Sequence, residues 1–191
     1  MLPRDDFERE RLASFLTTDL YNLNVEWIRS LYVSVSMNEA IRINGRRIVI
    51  GRKHQTKDDA ILYAIGQLSR ADARLRWIDE RSRFFEPSWS SVNTLPRLAT
   101  ILNFPEKNKI NTSIAAARDA INSLRVARNY YAHRNMDSRK AFFGEMDNLF
   151  GWTELESPSI AILNRNVGVF PSAFLFWLND CERVNREVCE L

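Results

Sequence analysis

Apolar residues recur every three to five positions between Asp5 and about Ser36, at Phe7, Leu12, Phe15, Leu16, Leu20, Leu23, Trp27, Ile28, Leu31 and Tyr32. That period predicts an amphipathic helix, with a break around Asn22–Asn24. The pattern then shortens. Asn44-Gly45 sits between the alternating Ile41/Ile43 and the run Ile48-Val49-Ile50, which predicts a small β-hairpin over 41–50 with Arg46, Arg47, Arg52 and Lys53 as a basic tip. A second long helix is predicted from Asp58 through Ile61, Leu62, Ile65, Leu68, Ala71, Leu75 and Ile78. Pro87 and the Ser/Trp-rich stretch after it read as a loop. Thr94 reads as the N-cap of a short helix from Leu95 to about Leu102, closed off by Pro105.

A third long helix, capped by Asn111 or Thr112, carries a seam of Ile110, Ile114, Ala117, Ile121, Leu124, Arg128 and Tyr131, alternating intervals of four and three. One place in that otherwise apolar seam is an arginine. After Asn135 the pattern is less periodic, Asn164–Phe170 reads as loop or short strand, and Pro171 starts a last helix that buries Phe174, Trp177, Leu178 and Val184. The predicted fold is all-α, a four- or five-helix bundle with a small β-hairpin insertion near 41–50, in one domain over 1–191.

Composition narrows the class. With 45% hydrophobic and 27% charged residues the chain has the balance of a soluble globular protein, not of a disordered one. No apolar h-region opens the sequence, and the run Ala173–Leu178 is far too short for a membrane span, so neither a secretory signal nor a membrane partner is expected. Cys181 and Cys189 form neither a disulfide framework nor a zinc spacing, which suits a reducing cytoplasm. The six glycines do not cluster, excluding a phosphate-cradling loop, and no compact helix-turn-helix with a basic recognition helix stands out. The cations are 22 Arg and 5 Lys, a bias that suits phosphate recognition and equally follows from genomic composition.

The candidate chemistry lies at the end of the seam. A buried charge without a partner costs several kcal/mol, so Arg128 must meet an anion or open onto a groove. Arg125, Asn129 and His133 fall at i, i+4 and i+8 on a neighbouring row, where Asn129 could fix the imidazole tautomer. Arg128 and His133 point about 140° apart on a regular helix, so they converge only if the helix loosens or if a two-fold dimer brings two copies together. The bland alternative is that both residues cap helix-end carbonyls and answer the helix dipole.

The segment Arg128–His133, RNYYAH, resembles the R-x(4–6)-H signature of the HEPN superfamily, with a polar residue directly after the Arg and a position late in a long helix. The resemblance implies a metal-independent, cofactor-free endoribonuclease that works as a homodimer with a composite cleft, such as a toxin or antiphage effector with a cognate antitoxin or regulatory protein. It implies Arg128 and His133 as catalytic residues, supported by Asn129. His133 would move the proton of the 2′-hydroxyl or of the leaving 5′-oxygen, and Arg128 would hold the phosphate, leaving 2′,3′-cyclic phosphate ends. Arg125 and Arg134 are the expected RNA-phosphate contacts, and Tyr130 a base-stacking candidate. Toxins of this superfamily silenced by nucleotidylation carry a Tyr two places after the His; here that place is Asn135, so this silencing route is not expected. The alternative is a non-catalytic module of the same fold for RNA binding or dimerisation. Elsewhere, His54 reads as a solvated loop residue, with an RNA contact as the other option. Arg74, Trp77 and Arg81 share a face that is either salt-bridged surface or an RNA-stacking platform.

Overall fold

Helices carry nearly all of the regular structure. The computed structural model describes residues 6–41, 45–51, 53–69, 71–80, 82–105, 107–152 and 157–190. Among these are nine α-helices: α1 Asp6–Ser36, α2 Lys57–Leu68, α3 Ala71–Glu80, α4 Thr94–Ile101, α5 Lys107–Ala116, α6 Arg118–His133, α7 Met136–Phe150, α8 Pro158–Asn164 and α9 Ala173–Cys189. A 3-10 turn, Arg83–Phe85, follows α3. The fold is all-α, and none of the described helices is long and apolar enough to cross a membrane.

The chain forms two compact units, Met1–Asn24 with Ala117–Arg183, and Val25–Ala116 with Val184–Leu191. In the first, α6 packs on α7, and Leu124, Ala127 and Tyr131 meet Phe142, Phe143 and Met146 in a core completed by Ala13, Leu20, Ile162 and Trp177. Trp177 is wholly buried, and its indole N–H donates to Ser123 Oγ at 2.8 Å. The Ser123 hydroxyl in turn donates to the Asp119 carbonyl at 2.6 Å, so this buried pair is satisfied. In the second unit, α2 packs on α3 and α4, and α4 on α5. There Glu86 is 9% exposed and accepts from Arg29 Nε and Nη2 at 2.8 and 2.9 Å and from Trp89 Nε1 at 2.7 Å.

Several sequence expectations are corrected. No hairpin is seen among the described residues: within 41 and 45–50 one isolated bridge joins Ile41 to Arg47, while Ile43, Asn44 and Arg52 of the expectation lie outside the described set. A two-stranded hairpin alone is marginal. Ile48 N–H donates to the Ala40 carbonyl at 2.9 Å, Ile50 N–H to Asn38 Oδ1 at 2.9 Å, and, beyond the segment, His54 N–H to the carbonyl of Ser36, the last residue of α1, at 2.8 Å. Helix α1 runs unbroken through Asn22–Asn24, since Asn24 is buried at a small propensity cost. The second predicted helix divides into α2 and α3, where Ser69 turns extended, and the third divides at Ala117 into α5 and α6.

Helix α7 occupies a region without clear period. It starts from a capping box in which Asn135 and Ser138 satisfy each other's backbone N–H groups. Thr94 is the first residue of α4 rather than its cap, and its hydroxyl donates to the Ser88 carbonyl at 2.7 Å. In α9, Trp177 and Val184 are buried as expected, whereas Leu178 is 39% exposed.

Candidate functional site

The seam in α6 is apolar and buried up to the position that sequence made anomalous. Ile121, Leu124 and Tyr131 are buried, and Arg128 between them is half-exposed. What answers the Arg128 charge is the ring face of Tyr21 from α1, 5.1 Å from the guanidinium carbon. No carboxylate pairs with it among the described residues. Its Nη1 donates only a long hydrogen bond, 3.4 Å, to the neighbouring Asn129 Oδ1. Asn129 thus engages Arg128, and no hydrogen bond joins it to His133 among the described residues.

His133 is the last residue of α6 and is exposed, as are the residues that follow it to Asp137. The helix stays regular to that point. Arg128 and His133 are therefore about 7.5 Å apart along the axis and about 140° around it, and do not converge in one protomer. Arg125 is half-buried, with its Nε enclosed and lacking a hydrogen-bond partner among the described residues.

Tyr130 packs 5.6 Å from Phe142 and edge-on to Tyr131, which commits much of its ring to the core margin rather than to a ligand. Tyr131 lies beneath the site. Burial first, and then the nearby Glu10 carboxylate, push its phenol above the ordinary range, so it stays protonated. Glu10 itself accepts from Ser157 Oγ at 2.7 Å and the Ser159 N–H at 3.2 Å.

Arg134 closes α6 in a left-handed conformation, φ 47°. Among the described residues every other positive φ belongs to glycine or asparagine, and the equivalent cap of α7 is Gly151, φ 66°. An arginine there carries a backbone penalty of about 1–2 kcal/mol that glycine avoids. The conformation sets the guanidinium 5.8 Å from the Tyr131 ring, at the rim of a cavity of about 360 Å³ shared with Arg11, Ser14, Phe15, Thr18 and Asp19 of α1.

These α1 residues were not singled out by sequence. Phe7, Phe15 and Leu23 fit the predicted buried stripe but are 68%, 61% and 68% exposed. The legible signal was Phe7, Arg11 and Phe15 at i, i+4 and i+8, an aromatic–basic–aromatic row. The Arg11 guanidinium sits 5.8 Å from the Phe7 ring on that row.

Other candidates fall away. Trp77 is 3% exposed and cannot stack a base, and Arg81 lies outside the described residues. His54 is buried at 7% exposure, with its ring 5.1 Å from Tyr63, which corrects the solvated-loop reading. Cys181 is buried, and burial followed by the Asp180 charge pushes its thiol up to about 12, which leaves no thiolate for nucleophilic work. No cluster of metal-ligating side chains occurs among the described residues. Comparison with protein-family models, curated proteins and solved structures finds no match to this chain.

Proposed function

We propose that the chain is a metal-independent endoribonuclease of the HEPN type, acting as a homodimer on cellular RNA in a toxin or antiphage role. The observation that carries this reading is the state of two side chains at the end of a buried seam. Arg128 is supported from below by an uncharged ring and keeps N–H donors unspent, and His133 is exposed with no structural partner among the described residues. An arginine that served only stability would be expected to end on a carboxylate or on helix carbonyls.

RNA supplies its own nucleophile. His133 accepts the 2′-hydroxyl proton as that oxygen attacks the adjacent phosphorus, or gives a proton to the departing 5′-oxygen. Arg128 holds the non-bridging oxygens as charge grows on them. Because the two groups diverge in one protomer, the reacting phosphate is held between Arg128 of one subunit and His133 of the other, with Asn129 steadying Arg128. Arg134 and Arg11 carry flanking phosphates, and the exposed Phe15 ring offers a base-stacking surface beside them. Asn135, in the place of the modified tyrosine of nucleotidylated toxins, caps α7, so an antitoxin or regulatory partner would act by other means.

The exposed Phe7, Phe15 and Met136 favour a second reading, a non-catalytic dimerisation module. Cleavage of end-labelled mixed RNA in excess EDTA separates the two. The expected result is wild-type cutting to 2′,3′-cyclic phosphate ends that disappears in Arg128→Ala and His133→Ala. Cutting that survives both substitutions overturns the assignment of the motif.

A further inference from the structure

The second unit holds a cavity that uses none of the residues of the 125–134 segment. Its volume is about 570 Å³, within the ~300–1,000 Å³ range of small-molecule sites. Its walls come from three elements. The loop after α1 delivers Lys53 and His54, α2 delivers Asp59, Tyr63 and Gly66, and α3 delivers Arg74.

The loop is fixed rather than free-standing. Asn38 takes up a left-handed conformation, φ 57°, and its side chain receives the Ile50 N–H, while Ile50 itself is buried. Four residues on, the His54 N–H is held by the Ser36 carbonyl and its ring packs against Tyr63. Thr56 then caps α2, accepting the Asp59 N–H at 3.1 Å and donating its hydroxyl to Asp59 Oδ2 at 2.8 Å. Lys53 is therefore delivered to the cavity mouth from an anchored backbone.

Two features point to a ligand. Lys53 and Arg74 both line the cavity, and neither has an ion-pair partner among the described residues. Among the described residues Asp59 is the only carboxylate on the wall, so with Lys53 and Arg74 the described lining is net positive. The second feature is Gly66, in the interior of α2, where glycine weakens a helix relative to alanine. Packing does not demand it: a Cβ there would meet nothing nearer than the Arg74 side chain, at 3.9 Å. What glycine provides at this position is open wall beside the Arg74 guanidinium.

We propose that this cavity binds a phosphorylated small molecule of mononucleotide size. The phosphate lies between Arg74, whose planar fork suits two of its oxygens, and Lys53 as a point charge. The amides of Gln55 and Gln67, also on the wall, face the polar edge of the remaining moiety, and the Tyr63 ring supplies a flat surface. The site stands whether or not Arg128 and His133 cut RNA.

Isothermal titration of the full chain with AMP, GMP, CMP and UMP tests it. Inorganic phosphate and a single-stranded RNA 12-mer without terminal phosphates are run beside them, and all are repeated on Lys53→Ala/Arg74→Ala and on Gly66→Ala. The expected result is one-to-one binding of at least one nucleoside monophosphate below about 1 mM, weakened at least about tenfold in the double variant by loss of charge-assisted contacts. Inorganic phosphate should bind more weakly. Gly66→Ala should melt no lower than wild type yet bind less well, because the methyl occupies the open wall. The proposal is overturned if no monophosphate binds, if the folded double variant binds as wild type does, or if the RNA binds at Lys53 and Arg74 while monophosphates do not.

Discussion

If catalysis needs Arg128 from one subunit and His133 from the other, two inactive variants should rescue each other. Helix α6 is regular from Arg118 to His133, so five residues at 100° each leave the two side chains about 140° apart. Each homodimer of Arg128→Ala or His133→Ala lacks one group from every cleft. A mixed dimer keeps one Arg128 and one His133 facing each other across the two-fold. Random assortment of equal amounts makes about half of the dimers mixed, and each mixed dimer restores one of its two Arg128–His133 pairs, so the ceiling of rescue is about a quarter of the wild-type rate.

Neither substitution should act by unfolding. Arg128→Ala loses a partly exposed cation–π contact worth about 0.5–1 kcal/mol. His133→Ala removes an exposed side chain and should change stability by no more than about 0.5 kcal/mol. Each variant alone should cleave at least about a hundredfold more slowly than wild type, the size expected for a lost acid–base group or oxyanion donor. The assay is the initial rate of cleavage of a labelled RNA by co-refolded, doubly tagged mixtures, with thermal melts alongside. A purified mixed dimer no faster than the two parents would refute the shared site, because a cleft built within one protomer gains nothing from mixing.

Four further outcomes follow from particular contacts in the fold. Arg29→Ala should cost about 3–5 kcal/mol near neutral pH, because it leaves the Glu86 carboxylate buried with its main partner gone. Burial alone would push Glu86 up, but the hydrogen bonds from Arg29 and Trp89 hold it below its ordinary value. Its stabilisation is therefore present above the unfolded carboxyl value, about pH 4.3, and lost as pH falls through the lower folded value; in Arg29→Ala the opposite holds, and urea melts from pH 7 to pH 3 should show the gap to wild type closing on the acid side. Ser123→Ala should cost about 1–3 kcal/mol by denaturant titration, since it strands the buried Trp177 N–H. Arg134→Gly should raise stability by about 1 kcal/mol by relieving the left-handed arginine, while weakening RNA binding and lowering its salt slope by about one charge. A thiol reagent should modify Cys189 rapidly and Cys181 only at the rate of unfolding, as mass spectrometry of quenched samples would show.

The hydrophobic period located most helical mass but not its joints. Ser69 and Ala117 end helices through local backbone choices that leave the apolar pattern on either side intact, so α2–α3 and α5–α6 read as single helices. In α7 the buried Phe142, Phe143 and Met146 are too few to set a period, and the stronger signal was the cap, Asn135 with Ser138 three residues on. The Asn44-Gly45 signal was a local preference that competes with tertiary acceptors, since the Ile50 N–H at the end of the predicted hairpin donates to the Asn38 side chain. Arg128 was legible because it broke an apolar pattern. Tyr21, Arg11 and Phe15 were not, because their role depends on which face of α1 is left uncovered, and sequence placed Phe15 on the buried one.

The departures from local rule cluster. A charge occupies an apolar seam at Arg128, and an arginine occupies a glycine conformation at Arg134, with His133 exposed between them in sequence. The arginine at the cap carries a backbone penalty and the one on the seam gains only a partly exposed cation–π contact, and the same chain shows it can do otherwise, with leucine and isoleucine elsewhere on the seam and Gly151 at the matching cap of α7. A sequence selected for packing alone would remove both departures by single substitutions. Stability is surrendered at functional positions more readily than elsewhere. Two such departures within about two turns of helix, each leaving a guanidinium with no carboxylate partner among the described residues, are the observation from which the proposed shared-phosphate site starts.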